Sequence, residues 1–504
     1  MVRTSDMKRP QSVNAEFDEG FEATPHGGAV LLERVLRRQG VRRLIETHLP
    51  SRSEDCEYST VDGVYALIGA LMLGGHGIQA VEALRENAMD TRIFGLEQGA
   101  PSESTMHNIL GDLSGLAPRK RAEAYREAGP VQPSLDMLGH ERKESQLRRV
   151  LSEEPESAAP EHLEQLRGFT AAMAKRCIGA LKSSVVRLHG FTVVFGDATD
   201  LEVEGRCFDA AERNYEGSRC LRWSTLMLGP VTVAEEVGRG ARDEAKAIAG
   251  LLDRGRDVVR DVVGRGGRVL GLLDSAYFEK EVVERTRAAR WRFIICANRL
   301  REVLTRKVLE QPAEVWMEGG ADERRGWVDS QFAVFAHRPQ GWAFNATIVA
   351  ARWREAGDLP EVWRYSFLGT DLERGDLVKG LLRQHGYARL IWMLYGTKQG
   401  RENHYKTALR DFDLHHPPSS RLGINQAFYA VATAAVNLAM VLRYRVVQGP
   451  DTGIQFWRLR ERYIHIAGAI VQGARTLTVR LSGACVDAAR KALWLAAFAE
   501  TLRL

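Results

Sequence analysis

The chain has 504 residues, of which 44% are apolar and 27% charged, and its lysines and arginines exceed its aspartates and glutamates by five. At roughly 150 residues per domain this predicts about three domains, and it excludes a fibrous or wholly disordered protein. So small a positive excess permits a nucleic-acid partner without demanding one, because phosphate binding needs local clusters of cations.

No apolar run of 18 residues lacks a polar break. The longest, Ala427 to Leu442, contains Thr433 and Asn437, so neither a membrane span nor a membrane partner is expected. The opening MVRTSDMKRPQS has no apolar segment of the signal-peptide kind. Six scattered cysteines without a CxxC spacing argue against a cysteine zinc site or a disulfide framework, and fit a reducing cytoplasm.

In chain order, residues 1–25 are polar and read as a disordered tail. Residues 26–185 read as a nearly all-α N-terminal region. Leu31, Leu32, Val35 and Leu36 fall at helical spacing, TVDGVYALIGALMLGG and QAVEALRENA give two more apolar-faced helices, and PSESTMHNIL places a helix behind a Ser102 or Ser104 cap. The stretch 117–165 is charged and proline-punctuated, and reads as surface helices and linkers; 161–184 is helical again.

Then the pattern changes. FTVVF (191–195) and RWSTLML (222–228) read as strands, followed by a helix from Arg242 to Val263. RVLGLL (268–273) is a strand, 278–289 a helix, and WRFIICAN (291–298) a further strand. Strand–helix–strand–helix–strand marks an α/β layer. Residues 300–375 read as several strands without long helices, 376–445 return to helix, and 446–504 read as a helical C-terminal region.

Two aspartates follow directly on apolar strands, VVFG-Asp197 and LGLL-Asp274. Strand ends of an α/β sheet are where functional groups are usually presented, and strand ends of one sheet lie side by side. A strand-terminating or helix-capping aspartate is the ordinary alternative for each alone. Asp200, three residues on, competes as the first acid. In YGTKQGRENHYK (395–406), Tyr395, Lys398, Glu402 and Lys406 are spaced three, four and four apart, which on a helix gives one face carrying an aromatic, an acid and two cations. Such a face suits a phosphate-rich ligand near a metal, or an ordinary solvated face with i,i+4 ion pairs.

These pieces resemble a known family. GDATDLEVEG (196–205), LLDSAYF (272–278) and YGTKQGRENHYK, with INQAFYAVATAAVNLAMVLRY after them and PHGGAVLLERVL and PSESTMHNIL before them, are similar to the DDE transposases of bacterial insertion sequences. The superfamily is that of insertion sequence 4, and the branch that of insertion sequence 1380. The resemblance spans about residues 25–445. It implies an α/β RNase H-like catalytic core (186–299 and 376–445), interrupted by a β-rich insertion (300–375) and preceded by an all-α DNA-binding region (26–185). It makes Asp197, Asp274 and Glu402 the catalytic acids and metal ligands. Lys398 stands where the family more often has arginine, and position 409, where a closing lysine is expected, is leucine; Lys406 or Arg410 stands in.

The implied cofactors are two divalent ions, Mg²⁺ or Mn²⁺. Placed about 3.5–4 Å apart, such ions activate one oxygen and stabilise the leaving one in an in-line displacement. The implied partners are double-stranded DNA, at element ends and target site, and a second copy of the chain bound on DNA. The implied activity is cut-and-paste transposition in a bacterial cytoplasm, associated with the nucleoid. Tyr395, Lys398, Lys406 and Arg410 would touch DNA at the site. Thr105, His107 and Asn108 would read bases from a helix in the major groove, with Arg119, Lys120, Arg121, Arg142 and Lys143 on phosphates. A metal-dependent nuclease on the same core, and an inactive DNA-binding relic, are the alternatives. GxSxG, P-loop and HExxH motifs are absent from the sequence.

Overall fold

The computed structural model describes residues 23–116, 156–204, 208–214, 216–240, 244–264, 266–398, 405–447, 449–472, 477–483 and 486–504. Most of the expected N-terminal tail, the charged stretch 117–155 with its five named cations, and Glu402 lie outside the described residues.

Six helices open the fold: α1 (Ala29–Arg38), α2 (Val41–His48), α3 (Thr60–Leu73), α4 (Ala80–Glu86), α5 (Ala88–Ile93) and α6 (Glu103–Leu113). Local chemistry sets their ends. The Ser59 hydroxyl accepts the Asp62 N–H at the start of α3, and the Ser102 hydroxyl accepts the Thr105 N–H at the start of α6, satisfying otherwise unpaired donors. Gly40 turns the chain from α1 to α2 at φ 68°, a left-handed conformation that glycine adopts without penalty. Helix α7 (Pro160–Ala180) carries proline at its first position, where no N–H is needed.

The α/β layer is one eleven-stranded sheet among the described residues. Its first long strands are β2 (Phe191–Glu202), β3 (Arg219–Leu228), β4 (Val231–Arg239), β5 (Val269–Leu273) and β6 (Arg292–Cys296). They lie in the order β4–β3–β2–β5–β6, antiparallel from β4 to β2 and parallel from β2 to β6. Helix α8 (Glu244–Val263) makes the crossover from β4 to β5, and α9 (Lys280–Ala288) that from β5 to β6. Both faces of the sheet are covered, which is why its strands read as continuous apolar runs. Ile248 of α8 meets Gly196 on one face, and Trp223 packs on Tyr429 on the other.

Strand β2 runs beyond the expected 191–195 to Glu202. Its second half is polar, and it continues because β3 pairs with it from Val194↔Leu228 to Glu202↔Cys220. Cross-strand partners, not apolar alternation, hold those residues extended.

Residues 300–375 begin with the short helix α10 (Arg301–Leu309) and then form β7 (Trp327–His337), β8 (Ala346–Glu355) and β9 (Arg364–Thr370). These strands do not make a separate sheet. β9 pairs with β6 through Leu368↔Cys296, Gly369↔Ile295 and Thr370↔Ile294, so the insertion extends the core sheet edge to edge. Stacked Trp327 and Trp353 pack against Trp392.

Two further helices follow, α11 (Lys379–His385) and α12 (Tyr387–Gly396), and then the central helix α13 (Leu422–Val441). The apolar run Leu422–Val446 is long enough to cross a bilayer, but 89% of its most apolar window is buried inside the protein. It contacts α3, α6, α7 and β4. Its polar residues dock neighbouring backbone. Asn437 accepts the Thr232 N–H and donates to the Thr232 carbonyl, both at 2.9 Å, closing the free edge of β4.

The C-terminal region is not helical throughout. Strands β10 (Gly468–Gln472) and β11 (Leu477–Leu481) form an antiparallel pair ahead of α14 (Ala488–Glu500), and β1 (Ala23–Thr24) adds to β10. The alternating, β-branched LTVRL is a strand pattern. The last residues of the expected tail are therefore paired.

Candidate active site

The parallel pairing of β2 with β5 ends at Gly196↔Leu273, and the next residues on the two strands are Asp197 and Asp274. The sheet thus delivers both acids to one edge of the parallel layer. A Cβ on Gly196 would lie 2.7 Å from a Leu273 methyl and 2.8 Å from one of Ile248, so glycine is what lets β2 sit this close to β5 and α8.

Lys398, just beyond α12, reaches into the gap. Its Nζ lies 3.0 Å from Asp274 Oδ2 and 3.7 Å from Asp197 Oδ2. One ammonium therefore touches a carboxylate oxygen of each aspartate. The Tyr395 hydroxyl, one turn earlier, donates towards Asp274 Oδ1 at 3.3 Å. Burial pushes this phenol well above its usual range, so it is a neutral donor here. Asp197 accepts the Ala198 N–H at 3.0 Å. Burial raises its carboxyl and the adjacent Asp274 adds to the rise, while Lys398 opposes it. Asp274 is half exposed.

Asp200 points elsewhere. Three residues from Asp197, it sits on the opposite face of the strand, pairs with Arg222 at 2.6 Å and accepts from Asn214 at 2.9 Å. It is a structural ion pair, and of the two candidates for first acid only Asp197 faces Asp274 and Lys398.

Helix α12 ends at Gly396, and the described chain resumes at Tyr405, so the single face proposed for Tyr395, Lys398, Glu402 and Lys406 is seen only in part. Tyr395 and Lys398 converge on Asp274. Lys406 and Arg410 are exposed. Of the three proposed base readers on α6, Asn108 is exposed. Thr105 is hydrogen-bonded to Ser102, and the His107 ring lies 3.3 Å from the Ser419 hydroxyl. Helix α6 packs on α13 and α3.

Sequence reasoning missed three neighbours of the acids. Cys296 follows the last parallel pair on β6, Leu273↔Ile295, and so stands third in the row after Asp197 and Asp274. Tyr405 is buried and shares a hydrogen bond with Thr225, the β3 residue opposite Asp197. Glu235 is opposite Thr225 in turn, on β4. Its carboxyl is pushed up to about 7 by burial. Only the pairing register places them together, and no motif announces a register.

The sequence family described as Transposase DDE domain group 1 matches residues 228–501, more than half of the 504. The chain belongs to this family of DDE transposases. The match begins at the end of β3, so it takes in Asp274 and Lys398 and leaves Asp197 outside. No curated protein matches the chain. Among solved structures, the piggyBac transposase synaptic complex with hairpin DNA, a cryo-EM structure, aligns over 85% of this chain and 76% of that one, at 11% identity and a TM-score of 0.36.

Proposed function

We propose that this DDE transposase catalyses cut-and-paste movement of a bacterial insertion sequence of the insertion sequence 4 superfamily, 1380 branch. It would cleave phosphodiesters at the element's ends and join them to target DNA. The observation that carries the proposal is the convergence of Asp197 and Asp274, where the parallel pairing of β2 with β5 ends, on one cation, the Lys398 ammonium.

The donor set fits a hard divalent cation, Mg²⁺ or Mn²⁺. Both acids offer oxygen, and the oxygens already gather around one positive charge. Asp197 and Asp274 would hold the metal, with Glu402 as the third acid. Bound there, such ions supply Lewis-acid stabilisation of the attacking and leaving oxygens. Tyr395 orients Asp274 by its hydrogen bond. Lys398 is placed to contact the phosphate beside the scissile bond once it leaves the carboxylates, with the exposed Lys406 and Arg410 further along the backbone. A dimer on DNA would present one such site to each element end. The substrate sets the place of action, the nucleoid in the bacterial cytoplasm.

The test uses the purified chain and DNA carrying the inverted ends that flank its gene. Cleavage and strand transfer should need Mg²⁺ or Mn²⁺ and should disappear in Asp197→Asn, Asp274→Asn and Glu402→Gln, with end binding kept. Cleavage without joining would make it a nuclease; binding without cleavage in the wild type would make it a relic.

A further inference from the structure

Away from the two aspartates, one cluster has metal-ligating chemistry that the proposed reaction does not use. Asp413, His415 and His416 each offer a ligand atom, and these atoms lie within 4.8 Å of one another. A fourth group comes from the distant α3–α4 turn: His76 Nδ1 is 3.3 Å from Asp413 Oδ2, while His415 Nδ1 is 3.3 Å from Oδ1 of the same carboxylate. Two imidazoles from separate parts of the chain therefore share one carboxylate.

The backbone is set up for this. Asp413 has φ 54°, an uncommon conformation for a residue with a side chain. It is held by the Leu414 N–H bonding to the Ala408 carbonyl at 3.2 Å and by the Tyr429 hydroxyl donating to the Leu414 carbonyl. Pro418 closes the gap to the α3–α4 turn at Gly77. His415 Nδ1 lies 2.7 Å from the Leu409 carbonyl, so an Nδ1–H donated there leaves Nε2 as the ring's ligand atom. Metal-bound histidines are commonly fixed in this way. The rings of His415 and His416 are 3.9 Å apart between centroids, which brings two imidazoles to one point.

We propose that Asp413, His415, His416 and His76 form a structural site for a zinc-type transition metal, which ties the N-terminal helices to the segment leading into α13. Imidazole with carboxylate suits Zn²⁺, whereas Mg²⁺ favours all-oxygen sets. The distances leave room for half-exposed side chains to close to the roughly 2.0–2.2 Å of zinc bonds.

The test titrates Zn²⁺ alone into the full chain carrying no polyhistidine tag, followed by calorimetry and thermal melting. One equivalent should bind and raise Tm. His415→Ala/His416→Ala should weaken binding by at least about tenfold and remove the Tm rise. His76→Ala, on a different segment, should also weaken binding, so a folding defect local to Asp413 would not decide the matter. Asp197→Asn/Asp274→Asn should bind the same equivalent unchanged, separating this site from the acidic pair. Co²⁺ in place of Zn²⁺ should give visible absorption bands of a four-coordinate ion. Zn²⁺ uptake equal in the wild type and the histidine variants, no uptake, or equal competition by Mg²⁺ would each overturn the proposal.

Discussion

The Lys398 ammonium lies 3.0 Å from Asp274 Oδ2, at the point where a cation shared with Asp197 would be held. Metal entry and Lys398 departure are therefore competing events at the same oxygens. Removing the lysine should raise the affinity of the DNA-free protein for Mn²⁺, on the order of tenfold for one charge at this range. The same Lys398→Ala variant should bind element-end DNA more weakly, with a salt slope shallower by about one unit. Calorimetry with Mn²⁺ and a salt series of DNA binding read the two effects separately. Unchanged metal affinity would mean that the ammonium does not stand in the metal's place.

Removing either acid should act on chemistry alone. Asp197→Asn or Asp274→Asn should lower end cleavage by at least about 10³-fold, the scale of several kcal/mol of lost charge stabilisation. Thermal stability should change little, because Lys398 keeps the other carboxylate as its partner. A melting curve beside a single-turnover cleavage assay checks both halves.

Asp200 gives the contrasting case. Its ion pair with the nearly buried Arg222 is structural, so Asp200→Ala should keep the cleavage rate per folded molecule. It should still lower stability by roughly 1–3 kcal/mol, because the carboxylate that pairs with the nearly buried Arg222 is removed. A loss of cleavage in soluble, folded Asp200→Ala would move the first acid to that position.

Glu235 should make stability depend on pH. Burial raises its carboxyl to about 7, above the ordinary value of 4.5. The folded chain therefore holds this proton more tightly than the unfolded chain. The resulting stabilisation is full below about 4.5 and is lost as pH rises through about 7. Glu235→Gln, which cannot ionise, should be more stable than the wild type at pH 8, on the order of 3 kcal/mol, and within about 1 kcal/mol of it at pH 5. Denaturant melts at the two pH values test the sign.

Gly196 makes a packing prediction. A side chain there meets Leu273 and Ile248 at less than 3 Å, so Gly196→Val should cost about 1–3 kcal/mol. It should also reduce cleavage in the fraction that folds, since the strain falls on the residue before Asp197. Gly111, whose added Cβ would meet nothing within 4 Å, serves as the control as Gly111→Ala.

The parts legible in the sequence were those that short-range chemistry dictates. VVFG and LGLL are buried strands, and the polar residue after each is at a strand end in the parallel pairing. Ser102, one of the two serines expected to cap α6, does so. The strands around Phe332 and Ala350 show in their own β-branched patterns. What was illegible depends on partners distant in sequence. β2 continues through Asp200 only because β3 lies alongside. The insertion joins the core sheet through three residue pairs that no local pattern specifies. Lys398 bonds acids 124 and 201 positions away, whereas helical spacing assigned it to a face with Lys406. The C-terminal strands were submerged in a basic stretch, and the five residues of alternation in LTVRL were too few to outweigh the helical end that follows.

Helix α13 is buried at all twenty positions from Leu422 to Val441, enclosed by α3 and α6 from the N-terminal part, α7, and β4 of the sheet. A helix enclosed in this way belongs to no single module. The N-terminal helices cannot be excised as a free-standing module, since the cut would expose an apolar cylinder on one side and leave the other side without its packing partner. A substitution that disturbs α3 or α6 will therefore also be felt as a change in the footing of the sheet that carries Asp197 and Asp274.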